Sequence, residues 1–266
     1  MKKSKIFLSA IALIASTMFI SSCGGDNDSP PPPPPVPSKI KKISMKYTDN
    51  KIESWEFIYD ANKRVTSISN IYDGGTPEAI TYDYSVAGKL TINKNGTKTV
   101  YILDTNGRVV KELWNAAGTE WEAYEYDADG IMKKVEEYYG GKTYLKYNMT
   151  IASKNVTNRL RYNDDAGSTL REDRVFTYTV ADNLSNIPQI YAVDSEWKNI
   201  GGLFGKQNQK LALTYTRKIT SNPTSNFNGT FAYTFDTKNR VATQTKNGVG
   251  SAGPFSESWT YTYYED

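Results

Sequence analysis

Hydrophobic and polar residues alternate one by one along most of the chain after residue 38. In the first clear run, Trp55, Phe57 and Tyr59 lie on one side and Glu56 on the other. A period of two rich in aromatic and β-branched residues is typical of a strand with one buried face. We therefore expect strands whose aromatic side is packed and whose polar side faces water. The same spacing occurs in Ile80, Tyr82 and Tyr84, in Tyr124 and Tyr126, in Phe231, Tyr233 and Phe235, and in Trp259, Tyr261 and Tyr263.

A nine-residue unit recurs in these runs. Two aromatic or apolar residues at alternate positions are followed by a residue that is usually Asp, then by Gly or Asn three places later, a basic residue and an aliphatic one. An Asp side chain can accept a hydrogen bond from the backbone two residues on, and Gly or Asn tolerates the left-handed conformation of a tight turn. Lys63 takes that place in the first copy, where we expect mild strain. The five copies span residues 57–65, 82–90, 101–109, 124–132 and 233–241.

Turns of a second kind lie between the copies, at residues 73–76, 95–97, 115–119 and 140–143, and each contains glycine. Two turn chemistries that alternate along the chain predict an antiparallel meander with a different rim at each end. A long meander avoids free edges by closing into a barrel or splitting into two sheets. We predict an all-β fold, an up-and-down meander closing into a soluble β-barrel of about 14–16 strands.

A membrane-spanning barrel is the main alternative. Its strands need about 9–11 residues and an outward band of apolar side chains. The runs here are mostly shorter, and many Tyr hydroxyls would face lipid. We therefore favour the soluble barrel.

The alternation stops at residues 187–209, which contain Gly201, Gly202, Gly205 and Trp197. Long insertions in a meander are usually functional or close an opening. A short helix over residues 194–200 is one option. Trp197 is a candidate ligand-binding residue that lines a pocket together with Leu203 and Phe204. The interpretation that we favour is an apolar plug that seals one end of the barrel.

The first 22 residues predict export. Lys2, Lys3 and Lys5 precede an apolar stretch over residues 6–20, and small residues lead to Cys23. This arrangement is typical of a cleaved signal peptide, and the stretch is too short for a spanning helix. Ile20-Ser21-Ser22-Cys23 resembles a lipobox, which implies lipidation at Cys23 and explains the single cysteine of an exported chain. The membrane is thus an expected partner, through the lipid.

A spacer follows the expected anchor. Pro30 to Pro35 favour an extended polyproline II rod, which suits a linker that holds a domain away from a membrane. Asp26 and Asp28 resemble the acidic export signal of surface-displayed Bacteroidota lipoproteins. We expect three segments: a signal peptide at 1–22, the lipidated cysteine and linker at 23–38, and a single β-barrel domain at 39–266.

Charge and composition exclude several classes of function. The formal charge of +3 falls to zero once the signal and its three lysines are removed. A balanced chain argues against nucleic acid as a partner, because binding to phosphates depends on clustered basic residues. The chain has no histidine and one cysteine. Metal sites built on those residues are therefore excluded, and we expect no cofactor.

Two tryptophans are further candidates for ligand binding. Trp114 and Trp121 flank a turn, so they are expected to lie opposite each other at one rim. Exposed together, they would stack on sugar rings. The interpretation that we favour is a cross-strand aromatic pair that stabilises the hairpin.

Catalysis receives little support from the acidic residues. The available carboxylate pairs are Glu120 with Glu122, Glu136 with Glu137, and Asp164 with Asp165. We expect all six to face water or lie in turns, where a raised pKa is not expected. The Asp127-Ala128-Asp129-Gly130 segment is explained by its turn, so no catalytic residue and no metal is assigned.

The recurring units resemble the YD repeats of Rhs-type shells over residues 55–147 and 231–264. The lipobox, the acidic and proline-rich linker and the Gly-Leu-Phe-Gly-Lys stretch at 202–206 are similar to a Bacteroidota family of lipoproteins, a domain of unknown function with a porin-like fold. That resemblance implies an antiparallel barrel tethered to a membrane, and no catalytic residues. It leaves two hypotheses: a non-enzymatic surface lipoprotein that binds a glycan, a peptide or another envelope component, and an accessory subunit whose sheet face docks an outer-membrane partner.

Overall fold

The computed structural model describes residues 39–162, 169–188, 200–250 and 253–265, and the strands within these ranges form one closed antiparallel barrel. Each strand pairs with its neighbours in sequence, and β1 pairs with both β2 and β16, which confirms the predicted meander. A 3-10 turn, Pro223–Ser225, lies between β13 and β14. The sixteen strands are β1 (Ile40–Lys46), β2 (Ile52–Tyr59), β3 (Val65–Tyr72), β4 (Glu78–Asp83), β5 (Lys89–Lys94), β6 (Thr97–Leu103), β7 (Val109–Leu113), β8 (Trp121–Tyr126), β9 (Met132–Tyr139), β10 (Lys142–Ala152), β11 (Asn155–Tyr162), β12 (Leu170–Asp182), β13 (Lys210–Ile219), β14 (Phe227–Phe235), β15 (Val241–Gly250) and β16 (Gly253–Tyr263).

The aromatic side of the strands faces the inside of the barrel, as predicted. Across the closure, Trp55 of β2, Ile43 of β1 and Tyr261 of β16 are direct neighbours, and all three are buried. Tyr82 and Tyr124 are buried in the same way. Burial of these rings and of the aliphatic residues between them is the main source of stability, at about 25 cal/mol for each Å² of apolar surface.

Phe235 is an exception to the predicted inward face, because 43% of its surface is exposed. The ladder shifts register between Thr234 and Phe235. Similar shifts precede Tyr59 and Tyr126, but each of those hydroxyls donates a hydrogen bond to a carbonyl of a neighbouring strand. A phenyl ring has no such group, so Phe235 is not held against the wall.

The recurring unit builds one rim of the barrel. The Oδ1 atom of Asp104 accepts hydrogen bonds of 2.9 Å from the backbone N–H groups of Asn106 and Arg108, and its Oδ2 accepts one of 2.8 Å from Arg108 Nε. The Arg108 guanidinium lies 4.5 Å from the ring centre of Tyr126, in the next unit. Asp60, Arg64 and Tyr84 repeat this arrangement, as do Asp236, Arg240 and Tyr263. The basic residue of the unit therefore links consecutive hairpins.

We name the two ends of the barrel by their turns. The Asp–Arg rim carries the turns at residues 60–64, 104–108, 127–131 and 236–240. The glycine rim carries those at 73–75, 95–96, 115–118 and 140–141. The two described ends of the barrel chain meet at the Asp–Arg rim, where Tyr264 N donates to Lys39 O.

The left-handed position of the unit provides a test of turn strain. Lys63 has a φ of 65°, and Gly107, at the same place in another copy, has a φ of 77° with no atom within 4 Å of the point that a Cβ would occupy. Gly107→Ala should therefore lower the free energy of unfolding by about 1 kcal/mol through the backbone alone. Lys63→Gly should raise it by a few tenths of a kcal/mol, since relief of strain exceeds the added entropy of the unfolded chain only slightly. Urea unfolding measures both values, and a loss of stability in Lys63→Gly would contradict this account.

Candidate functional site

The insertion between β12 and β13 covers the Asp–Arg rim. Its described parts, residues 183–188 and 200–209, bury Ile187, Ile200, Leu203 and Phe204 in the core. The Phe204 ring packs edge-on against Tyr124 at 5.1 Å. Main-chain hydrogen bonds join the segment to the wall, including Val109 N to Leu203 O at 2.7 Å. This placement of Leu203 and Phe204 agrees with an apolar plug, whereas Trp197 and most of the expected helix at 194–200 lie outside the described residues.

Gly205 allows the plug to sit against the rim. A Cβ at this position would lie 2.6 Å from Gly130 O and 2.6 Å from a carbon of the Tyr126 ring. The neighbouring Lys206 N donates to Gly130 O at 2.9 Å. The close approach explains the second glycine of the Gly-Leu-Phe-Gly-Lys stretch. A cleft of about 600 Å³ remains beside it, with a polar lining that includes Arg108, Asp127, Asp129, Asn186 and Lys206.

Charged side chains occupy the inner wall of the other half of the barrel, towards the glycine rim. Their direction follows from the strand register, because directly paired residues share a face. Glu112 pairs with the buried Tyr101, and Glu122 pairs with Glu112 on one side and with Glu137 on the other. We call this stretch of β2 to β9 the acidic wall. Its inward carboxylates are those of Glu53, Glu78, Glu112, Glu122 and Glu137.

Glu122 and Glu137 were expected to face water, and this was wrong. Both are buried, and Lys146 lies between them at 2.6 Å and 2.7 Å from their carboxylate oxygens. Burial alone would lower the pKa of Lys146, but the two carboxylates more than offset that effect and raise the pKa well above its usual value. Glu120 is half-buried in the turn just before β8, and Glu136 pairs with Lys134 on the outer face. Asp164 and Asp165 lie outside the described residues.

Basic side chains dominate the inner wall of β10 to β15, which we call the basic wall. Arg159, Arg174 and Arg217 stand side by side on β11, β12 and β13. The carboxylate of Glu172 lies among them, with Oε1 2.6 Å from Arg159 Nη2 and Oε2 2.5 Å from Arg217 Nε. Burial tends to raise the pKa of Glu172, but Arg174 and Arg159 outweigh it and lower that pKa to about 2. The cluster is therefore ionised at any physiological pH.

The charged half of the barrel is in contact with solvent. Although they face inward, the side chains of Lys146, Arg174 and Arg217 keep 16%, 19% and 27% of their surface exposed. Lys246 and Glu257, an ion pair at 2.8 Å on β15 and β16, are exposed to a similar degree. The inside of the barrel is thus packed and plugged at the Asp–Arg rim and accessible to solvent towards the glycine rim.

Trp114 and Trp121 do not form the expected pair. Trp114 N bonds to Glu120 O, and Trp121 lies opposite Leu113, so the two side chains occupy opposite faces of the wall. The turn places Trp114 one residue out of step with Trp121, and a shift of one residue reverses the face. Trp121 is on the outside, stacked on Tyr138 at 5.0 Å with Lys111 Nζ 4.2 Å from its ring centre.

Trp114 belongs to an aromatic group at the glycine rim. It is 42% exposed and lies 6.2 Å from the ring of Tyr139, which in turn stacks on Tyr144 at 4.5 Å. Tyr144 pairs with the inward Glu137, so the group lines the mouth of the charged half. Sequence reasoning missed Tyr139, Tyr144 and the inner charges. The spacing of two residues between Glu122 and Tyr124 could have predicted that both side chains face inward.

Polar groups of the inner wall are held in place by their neighbours. The described residues contain no group of three or more His, Cys, Asp or Glu side chains able to hold a metal ion. Burial raises the pKa of Tyr124 well above its usual value, so its hydroxyl stays a donor, to Glu112 at 3.1 Å. The charged and hydroxyl groups are held in fixed positions by their neighbours, as recognition of a polar ligand requires.

Comparison with known proteins gives a class of fold. The barrel is similar to that of a porin-like protein from Bacteroides uniformis ATCC 8492, with a TM-score of 0.65 and 16% identity over 86% of this chain and 99% of that chain. It is also similar to a porin-like protein from Bacteroides vulgatus ATCC 8482, with a TM-score of 0.53 and 11% identity over 86% of this chain and 100% of that chain. No family model and no curated protein matches the sequence. The fold is thus a porin-like barrel, while the likeness to YD repeats stays a resemblance.

The buried carboxylate of the basic wall gives a stability prediction. Glu172→Gln should lower the free energy of unfolding at neutral pH by about 3–5 kcal/mol, because it leaves several buried guanidinium groups without their anion. The folded pKa of about 2 lies below the ordinary 4.5. The stabilisation is therefore complete above about pH 4.5 and is lost as the pH falls towards 2, so the two proteins should converge there. Urea unfolding across that range measures the difference.

Glu56→Gln is the matched control. Glu56 forms an exposed ion pair of 3.0 Å with Lys42 on the outer wall. Loss of such a pair costs about 1 kcal/mol or less. Equal losses of stability in the two variants would contradict the assigned role of Glu172.

Proposed function

We propose that this chain is a non-enzymatic lipoprotein of the cell envelope, held on the outer membrane and displayed at the cell surface, which binds a glycan or a peptide in the charged half of its barrel. One observation carries the proposal: the inner wall towards the glycine rim keeps charged and aromatic side chains in contact with solvent, while the other end is plugged. A concave site with a few fixed polar groups and aromatic walls is the usual form of a ligand-binding site.

The aromatic group at the glycine rim suggests the class of ligand: its rings would stack on a ligand that has flat apolar faces. Trp114, Tyr139 and Tyr144 present rings beside the inward carboxylates of the acidic wall. Sugar rings stack on such side chains and bond to neighbouring charged groups, and peptides with aromatic residues do the same. Among the tryptophans named from sequence, Trp114 is exposed at the glycine rim, which supports a role in binding. Trp121 is stacked on Tyr138 on the outer face. Trp197 lies outside the described residues, and its role in binding is still only proposed.

The polar composition of part of the outer wall supports the interpretation that water surrounds the barrel. Outward positions of β15 and β16 carry Thr243, Thr245, Ser258, Thr260 and Thr262. Lys134 bridges Glu125 and Glu136 on the same surface. A lipid-facing band would instead be apolar. Among the described residues, no helix is long and apolar enough to cross a membrane. We assign attachment to lipidation at Cys23 on the strength of the lipobox-like residues 20–23, and the porin-like neighbours support an envelope location.

Docking of an outer-membrane partner through the sheet face is the second hypothesis from sequence. It requires a flat apolar patch on the outside of the wall. The outward residues of the closure and its neighbours are mainly Ser, Thr, Lys and Glu. On β6 to β9, Val100, Leu113, Trp121 and Tyr138 form an outward apolar row instead, so docking stays the second hypothesis.

Binding is tested with the mature domain, lacking the lipid, on glycan and peptide arrays. Trp114→Ala should weaken binding to any captured ligand by about tenfold or more, as expected for loss of an aromatic contact in a binding site. Trp121→Ala is the control, since its ring is stacked outside the barrel, and it should bind as the unaltered domain does. A folded domain that captures nothing on either array would refute the proposed function.

Anchoring is tested in a bacterial host with the full-length chain. Cys23→Ser should abolish incorporation of labelled palmitate and should move the protein from the membrane to the soluble fraction, because the lipid is the proposed attachment. Ser22→Ala leaves a small residue before Cys23 and should retain both signals. A Cys23→Ser protein that stays in the membrane fraction would contradict the lipid anchor.

A further inference from the structure

The basic wall gathers four guanidinium groups in one place. Arg159 lies directly opposite Arg174, and Arg174 lies directly opposite Arg217 on the next strand. Arg161 adds a fourth, since it pairs with Glu172 on the same face. Like charges directly opposite each other destabilise a sheet. Three adjacent strands therefore carry an arrangement that folding alone disfavours.

Within the described residues, the counter-charge of this group is one carboxylate. Glu172 lies within salt-bridge distance of Arg159, Arg174 and Arg217, and no ion pair of Arg161 occurs in that part of the chain. The nearby Glu257 is engaged with Lys246, and Asp173 points to the other face, where it accepts from Asn158. Among the described residues, Arg161, Arg174 and Arg217 share this single carboxylate with Arg159, so positive charge exceeds negative charge there. Arg159 and Glu172 keep only 3% and 2% of their side-chain surface exposed, so water screens this excess poorly.

Some N–H donors of these arginines also have no acceptor among the described residues. The Nε atom of Arg161 is buried and has no hydrogen-bond acceptor in the described part of the chain, and the guanidinium rests 5.7 Å from the ring centre of Tyr147. Arg217 uses Nε on Glu172 and keeps 27% of its side chain exposed. Burial, and then the neighbouring Arg159, lower the pKa of Arg174 to about 10. A second anion would relieve that repulsion.

We propose that Arg161, Arg174 and Arg217 form a binding site for an oxyanion, a carboxylate or phosphate group carried by the ligand of the charged half. The inference rests on the proposed function and names the chemical class of the ligand: it is acidic. Guanidinium groups bind carboxylates and phosphates through paired N–H donors. The single carboxylate of Glu172 cannot occupy all the donors of these arginines. The stacked rings at the mouth then contact the uncharged part of the same ligand.

The test is titration of the mature domain with sodium phosphate, with sodium glucuronate and with glucose, at constant ionic strength, followed by NMR shifts or calorimetry. Phosphate, glucuronate or both should bind, and glucose should bind much more weakly. Which anion binds separates a phosphate-bearing ligand from a carboxylate-bearing one. Arg161→Gln should weaken binding of the anion by roughly tenfold, as expected for the loss of one charge-assisted hydrogen bond.

Arg64→Gln is the matched control, because Arg64 pairs with Asp60 at the opposite rim. It should leave anion binding unchanged. Arg161→Lys is a second variant that keeps the charge, loses the planar fork and should give an intermediate affinity. Circular dichroism checks that each variant folds. The inference is overturned if neither anion binds the unaltered domain, or if Arg161→Gln and Arg64→Gln behave alike.

Failure of this inference is distinguishable from failure of the proposed function. A neutral glycan or peptide captured on the arrays in a manner that depends on Trp114, with no response to phosphate or glucuronate, would remove the oxyanion site and retain the binding role. Capture of acidic ligands that is lost in both Trp114→Ala and Arg161→Gln would support both.

Discussion

The width of a sixteen-strand barrel is the constraint on which the rest of this structure depends. About eight strands enclose a space that their own inward side chains can fill, and twice that number leave an open interior. The interior is filled differently in the two halves of the barrel. Large inward rings and the insertion around Leu203 and Phe204 fill the Asp–Arg half. Charged side chains, many of them in ion pairs, line the other half and keep part of their surface accessible to solvent.

Charge on the inner wall is partly compensated across strands. Lys146 lies between two buried carboxylates of the acidic wall, and Glu172 lies among three arginines of the basic wall. Such groups cost several kcal/mol each when left alone in a protein interior. Register is what brings them together, so the bulges near the Asp–Arg rim also determine which side chains meet near the glycine rim.

Much of the fold was predictable from sequence, because aromatic residues at alternate positions fix the inward face wherever they occur. Tyr82, Tyr124 and Tyr261 behave as this rule requires. The inner charges were not predicted, since an acidic residue between polar neighbours is normally assigned to water. Glu122 lies two residues from the inward Tyr124, so the same rule predicts its inward face. Glu172 lies four residues from Phe176, the nearest aromatic residue on β12, and the basic Arg174 between them hides the alternation. Trp114 and Trp121 were misplaced because the register of a five-residue turn is not evident from composition.

Closure of β1 onto β16 has a consequence for recognition. Each of the described strands has a bonded neighbour on both sides along at least part of its length, so the sheet presents no free edge strand. A partner peptide cannot add itself as an extra strand, which is a common route for capture of extended chains. In the proposed binding role, selectivity would come from side chains inside the wall, and substitution at a few inward positions would change it while the scaffold stays the same.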